Sequence, residues 1–412
     1  MADEQGVPVG LTEYQQRRKV QWLRQQLYAQ PDPVGLPQLM EALAEAEQAL
    51  FALEQERMAL ESAESHGVLL DMGGEGEKPG GIMLGADTTG VDVRVLLRQS
   101  HIPTGISHLL DAHESPLVTF RVRYEGDEYV RLRLSSFIEG YSARAIDTVE
   151  LFFDQSVEVN QLPTLFPERI QSVTEMTRAT LHIRIDDLDG STEQHSTFPV
   201  WLLARTSAYI GMTDPATGDW IDLTPYMAAW VTPNAPEVMK LLRDAADTHP
   251  NRQIVGYQVD SQGVERQVEA IFEALKKQDI VYVNSVLSFD AANGSYTQRV
   301  RLPRESIENR SANCIDGTVL MASLLEAASL NPGIVLVPGH AFLTWETQDG
   351  NDEWDYVETT MIGSHDFQKA HQRGQATARQ YEALASQLGA PNYFRRLSLP
   401  DLRVRLGITP ME

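Results

Sequence analysis

The chain has a single cysteine, Cys314, in 412 residues. That excludes an intrachain disulfide, and it excludes paired-cysteine metal knuckles and redox motifs. No run of about 18 apolar residues occurs, so no transmembrane helix is expected. Met1 to Gly10 carries neither a basic n-region nor an apolar h-region, which predicts no secretory signal. Basic charge is also short: 34 Lys and Arg stand against 58 Asp and Glu, a net charge of −24. A chain of that sign is not expected to bind nucleic acid or an anionic membrane surface. Together these absences predict a cytoplasmic protein. They also single out Cys314, because no other thiol is present.

The length predicts two or three domains. Residues 1–70 read as a helical hairpin or coiled-coil arm. Its first helix runs from Leu11 to Ala29, Pro31 and Pro33 break it, and a second begins near Leu36. Leu39, Leu43, Ala46, Leu50, Leu53 and Leu60 recur at alternating four- and three-residue spacing, which makes one apolar seam. The seam is expected either to dock on its own protein or to bind a partner, or a second copy, through residues 11–67. Residues 71–91 are rich in Gly and acidic residues and read as a linker. They lack the G-K-[ST] ending of a phosphate loop, so no nucleotide is expected there.

Residues 92–250 read as an antiparallel β-sandwich with a connecting helix over residues 236–250. Leu117–Tyr124 and Tyr129–Phe137 flank Glu125–Glu128, a hairpin signal. Phe120, Val122 and Tyr124 alternate with Arg121 and Arg123; Val130, Leu132 and Leu134 alternate with Arg131 and Arg133. Each strand therefore has one core face and one basic face. The arginines are expected to lie on a solvated face, paired with carboxylates. Further hairpins are expected around Asp189–Gly190 and Asp214–Gly218.

The chemistry concentrates in three later segments. From Ile315 onward apolar residues recur at helical spacing, and polar Ser311 and Asn313 precede them. Cys314 therefore opens a helix. Unpaired N–H groups and the partial positive charge of a helix start favour a thiolate and can hold a developing oxyanion. A lone cysteine in a helix is most often a small buried apolar residue, but Cys314 lies between polar Asn313 and Asp316, outside the apolar run. Next, Ile334–Val337 read as a buried strand and Pro338–Gly339 as a bend. His340 then begins a second strand, placed to act as a general base. Finally, Glu358 ends a short strand after the Gly350 turn. Antiparallel pairing would bring its carboxylate beside His340, where it can orient and charge the imidazole. Asp316 and Asp355 flank these residues and are expected in capping or surface roles. Trp345 reads as core or site wall, and His365 and His371 as exposed helix residues. No metal site is expected.

The order is specific: a cysteine opening a helix, a histidine on a strand, an acid on the next strand. The stretch N-C-I-D-G-T-V-L-M-A-S-L-L-E-A from Asn313, then G-H-A-F from Gly339, then E-T-T from Glu358, resembles the transglutaminase-like, papain-related superfamily of cysteine peptidases. The resemblance covers about residues 265–365. Many members have Asp followed by Pro-Thr where this chain has Glu358, Thr359 and Thr360. The resemblance implies a C-terminal α+β domain over residues 251–412, with Cys314 as nucleophile, His340 as base, Glu358 as orienting acid and no cofactor. It also implies a Gln before the nucleophile in the oxyanion hole, for which Gln298 is the candidate. The expected function is a cysteine peptidase acting on a protein or peptide, regulated by its N-terminal parts. The same triad serves a transglutaminase or other acyltransferase, and an inert binding scaffold is the third reading. The residues alone do not separate these.

Overall fold

A computed structural model describes residues 90–411, apart from 191–192, 214–219, 284–289, 292–294 and 390–392, together with Lys19, Ala42, Ala46 and Ala49, which are helical. Apart from those four residues and Gly90 and Val91, the expected hairpin arm over residues 11–67 and the linker over 71–91 lie outside the described residues, as does the tip of the hairpin at Asp214–Gly218. The chain divides into two compact units, Met1–Gly81 and Ile82–Glu412. The second is a mixed α+β structure with several sheets. Among the described residues no helix is long and apolar enough to cross a membrane.

Two sheets occupy the first part of the second unit. One has the order β1-β3-β6, where β1 is Val91–Leu97, β3 is Val118–Tyr124 and β6 is Gln155–Gln161. The other has the order β2-β8-β7-β4-β5. Its strands are β2 (His101–Ile102), β4 (Val130–Ile138), β5 (Ala145–Leu151), β7 (Thr177–Asp187) and β8 (Glu193–Leu202). Pairing is antiparallel except between β2 and β8. Both sheets feed one hydrophobic core that includes Val93, Phe120, Val122, Leu132, Leu134, Leu181, Ile183 and Val200.

The strands around Glu125–Glu128 form as expected, but they do not make a hairpin. β3 pairs with β1 and β6, whereas β4 pairs with β5 and β7. The connection crosses from one sheet to the other. Each strand has an apolar face, and placing the two faces on opposite sides of a shared core buries both. The Asp189–Gly190 turn does join a paired hairpin, with Leu181 opposite Phe198. The arginines of β3 and β4 meet carboxylates: Arg121 with Glu158 at 2.8 Å, Arg131 with Asp189 at 2.6 Å and Arg133 with Asp186 at 2.9 Å.

A second hydrophobic core runs from Ala208 to Ile408 and also takes in Ile106. Residues 207–248, expected in the sandwich domain, join it instead. β9 (Ser207–Thr213) pairs with β10 (Trp220–Asp222) and with β13 (Ser295–Arg299), which in turn pairs with β12 (Asp290–Ala291). The helix α1 (Pro236–Thr248) buries Val238, Leu241 and Ala245 in the same core. These residues thus pack with elements that follow the expected boundary at residue 251. The amphipathic face of α1 marks a helix that must be covered, but not by which neighbours.

The remaining elements build the site. α2 (Ser261–Lys277) and the short α3 (Pro303–Asn309) precede α4 (Cys314–Ala327), whose residues from Ile315 to Leu325 are all buried. Apolar on every side, α4 is a core helix. It packs on an antiparallel sheet of order β17-β16-β15-β18. These strands are β15 (Pro332–Val337), β16 (His340–Glu346), β17 (Trp354–Val357) and β18 (Arg395–Ser398). Val337 and His340 pair across Pro338–Gly339, and Gly339 takes φ +71°, a left-handed conformation that favours glycine. Beside α4 run two short parallel strands, β11 (Val281–Tyr282) and β14 (Ser311–Ala312). α5 (Phe367–Leu388) closes over β17.

Candidate active site

Cys314 is the first residue of α4, half-buried. A reciprocal cap sets this helix start. The Asn313 side chain accepts the Asp316 N–H at 2.8 Å, and the Asp316 carboxylate accepts the Asn313 N–H at 3.2 Å. The other Asp316 oxygen accepts the Arg301 N–H at 2.8 Å, and the Arg301 guanidinium approaches the oxygen that Asn313 binds, at 3.4 Å. Asp316 is 1% exposed. Burial raises its pKa above the ordinary carboxylate value, although bonds from Arg301 and Asn313 and the Arg301 charge oppose the shift. The expected capping role is the one it plays.

His340 begins β16, with its side chain largely buried. Its Nε2 lies 2.8 Å from Glu358 Oε2. The Nδ1 atom is buried, and the Cys314 thiol lies near enough to the ring to act on its protonation. Burial lowers the imidazole pKa, but the Glu358 charge, the nearby Cys314 and the bond to Glu358 outweigh it and raise the pKa. Glu358 is 5% exposed. Burial raises its pKa, yet the His340 charge and bonds from His340 and Thr360 win and hold the carboxyl below its ordinary value. Its second oxygen accepts the Thr360 N–H at 3.1 Å and the Thr360 hydroxyl at 2.7 Å. Glu358 thus caps the 3-10 turn Thr359–Met361 while it orients the histidine.

Cys314, His340 and Glu358 are therefore brought together, with the carboxylate bonded to the ring and the thiol beside it. Two threonines join its ends. The Thr318 hydroxyl donates to the Cys314 carbonyl at 2.7 Å and meets the Thr359 hydroxyl at 3.0 Å. Behind Glu358, its backbone N–H donates to the Ala370 carbonyl at 3.0 Å. α5 comes this close because of Gly374: a Cβ there would lie 2.8 Å from the backbone of Tyr356 and Val357. None of these supports was singled out from sequence. Thr318 carried a signal, one helical turn after Cys314 and so on its face. Ala370 and Gly374 carried none, because the contact is between distant segments.

Other expectations fare differently. Gln298 lies on β13, in a different sheet from His340, and its side-chain amide donates to the Arg299 carbonyl at 3.1 Å. Trp345, 1% exposed, belongs to the core. His371 is not an exposed helix residue: its Nε2 meets Asp355 at 2.7 Å and its ring stacks on Phe367. Among the described residues no group of three or more His, Cys, Asp or Glu side chains could hold a metal ion.

The arrangement supplies a thiol, a base in contact with it, and a buried carboxylate that holds the base in one orientation. These are the parts of nucleophilic acyl chemistry. A scan against protein-family models matches none, and a search of curated proteins finds no match.

Proposed function

We propose that the chain is a cysteine peptidase of the transglutaminase-like kind, hydrolysing a protein or peptide. The placement of the Cys314 thiol beside a His340 ring that Glu358 binds at 2.8 Å carries this reading. His340 takes the thiol proton, and the Cys314 sulfur adds to the scissile carbonyl carbon. The tetrahedral species collapses, the C–N bond breaks, and His340 returns its proton to the departing amine. Water, deprotonated by His340, then opens the thioester and restores the thiol. Glu358 stays ionised and keeps the ring oriented through both halves.

The two sheets of the first core are read as a β-sandwich, and this part with the N-terminal arm as a regulator of access or a recruiter of substrate. The lone cysteine suits a reducing compartment, and we assign the protein to the cytoplasm on that ground.

The test is the rate of Cys314 alkylation by iodoacetamide, followed by intact mass, in the wild type and in His340→Ala. With one cysteine in the chain the signal has one source. A rate that falls at least tenfold in the variant supports an activated thiol–imidazole pair. Equal rates would mean an inert scaffold.

A further inference from the structure

Resting on that reading, we infer that Tyr282 is a catalytic residue whose hydroxyl donates a hydrogen bond to the oxyanion formed at Cys314. β11 and β14 pair in parallel, with Tyr282 opposite Ala312. The Val281 and Val283 N–H groups donate to the Arg310 and Ala312 carbonyls at 2.9 and 3.0 Å, which fixes that register. Residues paired across a ladder project to the same face, and along an extended strand every second residue returns to it. Asn313 has φ −90° and ψ −170°, still extended, so the alternation runs from Ala312 on to Cys314. Tyr282, Ala312 and Cys314 therefore share one face of this ribbon.

The side chain is also suited to the work. Tyr282 is 41% exposed, open to an incoming substrate. Burial and the negative charges at Cys314 and Glu358 push its pKa up to about 12, so the phenol keeps its proton and is a donor. The backbone N–H at the start of α4 supplies one oxyanion donor, and such holes use more than one. The Gln298 amide donates to the Arg299 carbonyl and sits in a different sheet from His340, whereas Tyr282 stands on the ribbon face that leads to Cys314.

In the step concerned, the Cys314 sulfur forms a bond to the carbonyl carbon and the C=O π pair moves onto oxygen. Tyr282 donates its O–H to that oxygen and retains the proton throughout. When the pair returns, the leaving group departs with its bonding electrons, as an amine protonated by His340 or as a phenolate from an aryl ester.

The experiment compares two reactions of the same sulfur in the full chain, wild type and Tyr282→Phe. Acylation by p-nitrophenyl acetate forms an oxyanion; alkylation by iodoacetamide is displacement at saturated carbon and forms none. The expected result is acylation slower by roughly 10²-fold, the scale of one lost oxyanion donor, with alkylation within about twofold of wild type. If neither rate changes, Tyr282 is no donor. If both fall together, it positions the thiol instead. A wild type that is not acylated, with alkylation equal in His340→Ala, would overturn the thiol reading itself and this proposal with it.

Discussion

His340 Nε2 stands 2.8 Å from one oxygen of Glu358, while Thr360 binds the other oxygen twice, at 2.7 and 3.1 Å. The carboxylate is held from both sides, so it cannot turn away from the ring. Glu358→Gln keeps the length and most of these bonds but removes the charge. Burst kinetics with an activated ester should show acylation slower by roughly 10²–10⁴-fold. A rate within threefold of wild type would make Glu358 a bystander.

The same pair sets a pH window for stability. The folded-state pKa of His340 is raised from 6.5 to about 10, so its contribution is complete below 6.5 and is lost as pH rises through about 10. The folded-state pKa of Glu358 is lowered from 4.5, so its contribution is complete above 4.5 and is lost as pH falls below that value. The margin of wild type over Glu358→Gln, measured by urea unfolding, should peak between these limits, near pH 5–6, and shrink in both directions. A margin that grows from pH 6 to pH 10 would have the wrong sign.

Asp316 serves the helix start rather than the chemistry. Asp316→Ala leaves the Arg301 and Asn313 N–H groups without their acceptor, 2.8 and 3.2 Å away in the wild type. Loss of the cap and of buried acceptors should cost about 2 kcal/mol or more in denaturant unfolding. A cost below about 0.5 kcal/mol would mean the cap is replaceable by water.

Gly374→Ala separates tertiary packing from helix propensity by sign. In an ordinary helix interior the change stabilises by about 1 kcal/mol. Here the new Cβ would lie 2.8 Å from backbone atoms of Tyr356 and Val357. Overpacking should cost roughly 1–3 kcal/mol. The shift also pulls on the 3.0 Å bond from Glu358 N–H to Ala370, so acylation should slow as well. A more stable and fully reactive variant would show that α5 does not position Glu358.

Much of the site was legible. Asn313 and Asp316 spell a helix cap within four residues, and the apolar run after them says that the helix is buried. Pro338 and Gly339 mark the bend that puts His340 first on its strand. These are local signals, set by backbone geometry over a few residues.

The failures were of another kind. Alternation showed that β3 and β4 each bury one face, but not that they do so from opposite sheets. Residues 207–248 looked continuous with the strands before them, yet β9 pairs with β13 and most of their core partners lie after residue 260. Gln298 stood at a plausible place before Cys314, and its amide is bonded to the next residue's carbonyl. His371 read as a surface residue on a polar stretch and is held against Asp355.

Caps, turns and the buried or exposed face of each segment were written in the chain itself, because they depend on neighbours three or four residues away. Which strands pair, and so whether Cys314, His340 and Glu358 meet and what stands beside them, was decided only by the tertiary structure. A periodic pattern says that a face must be covered; the covering partner is chosen by competition among all such faces for one core.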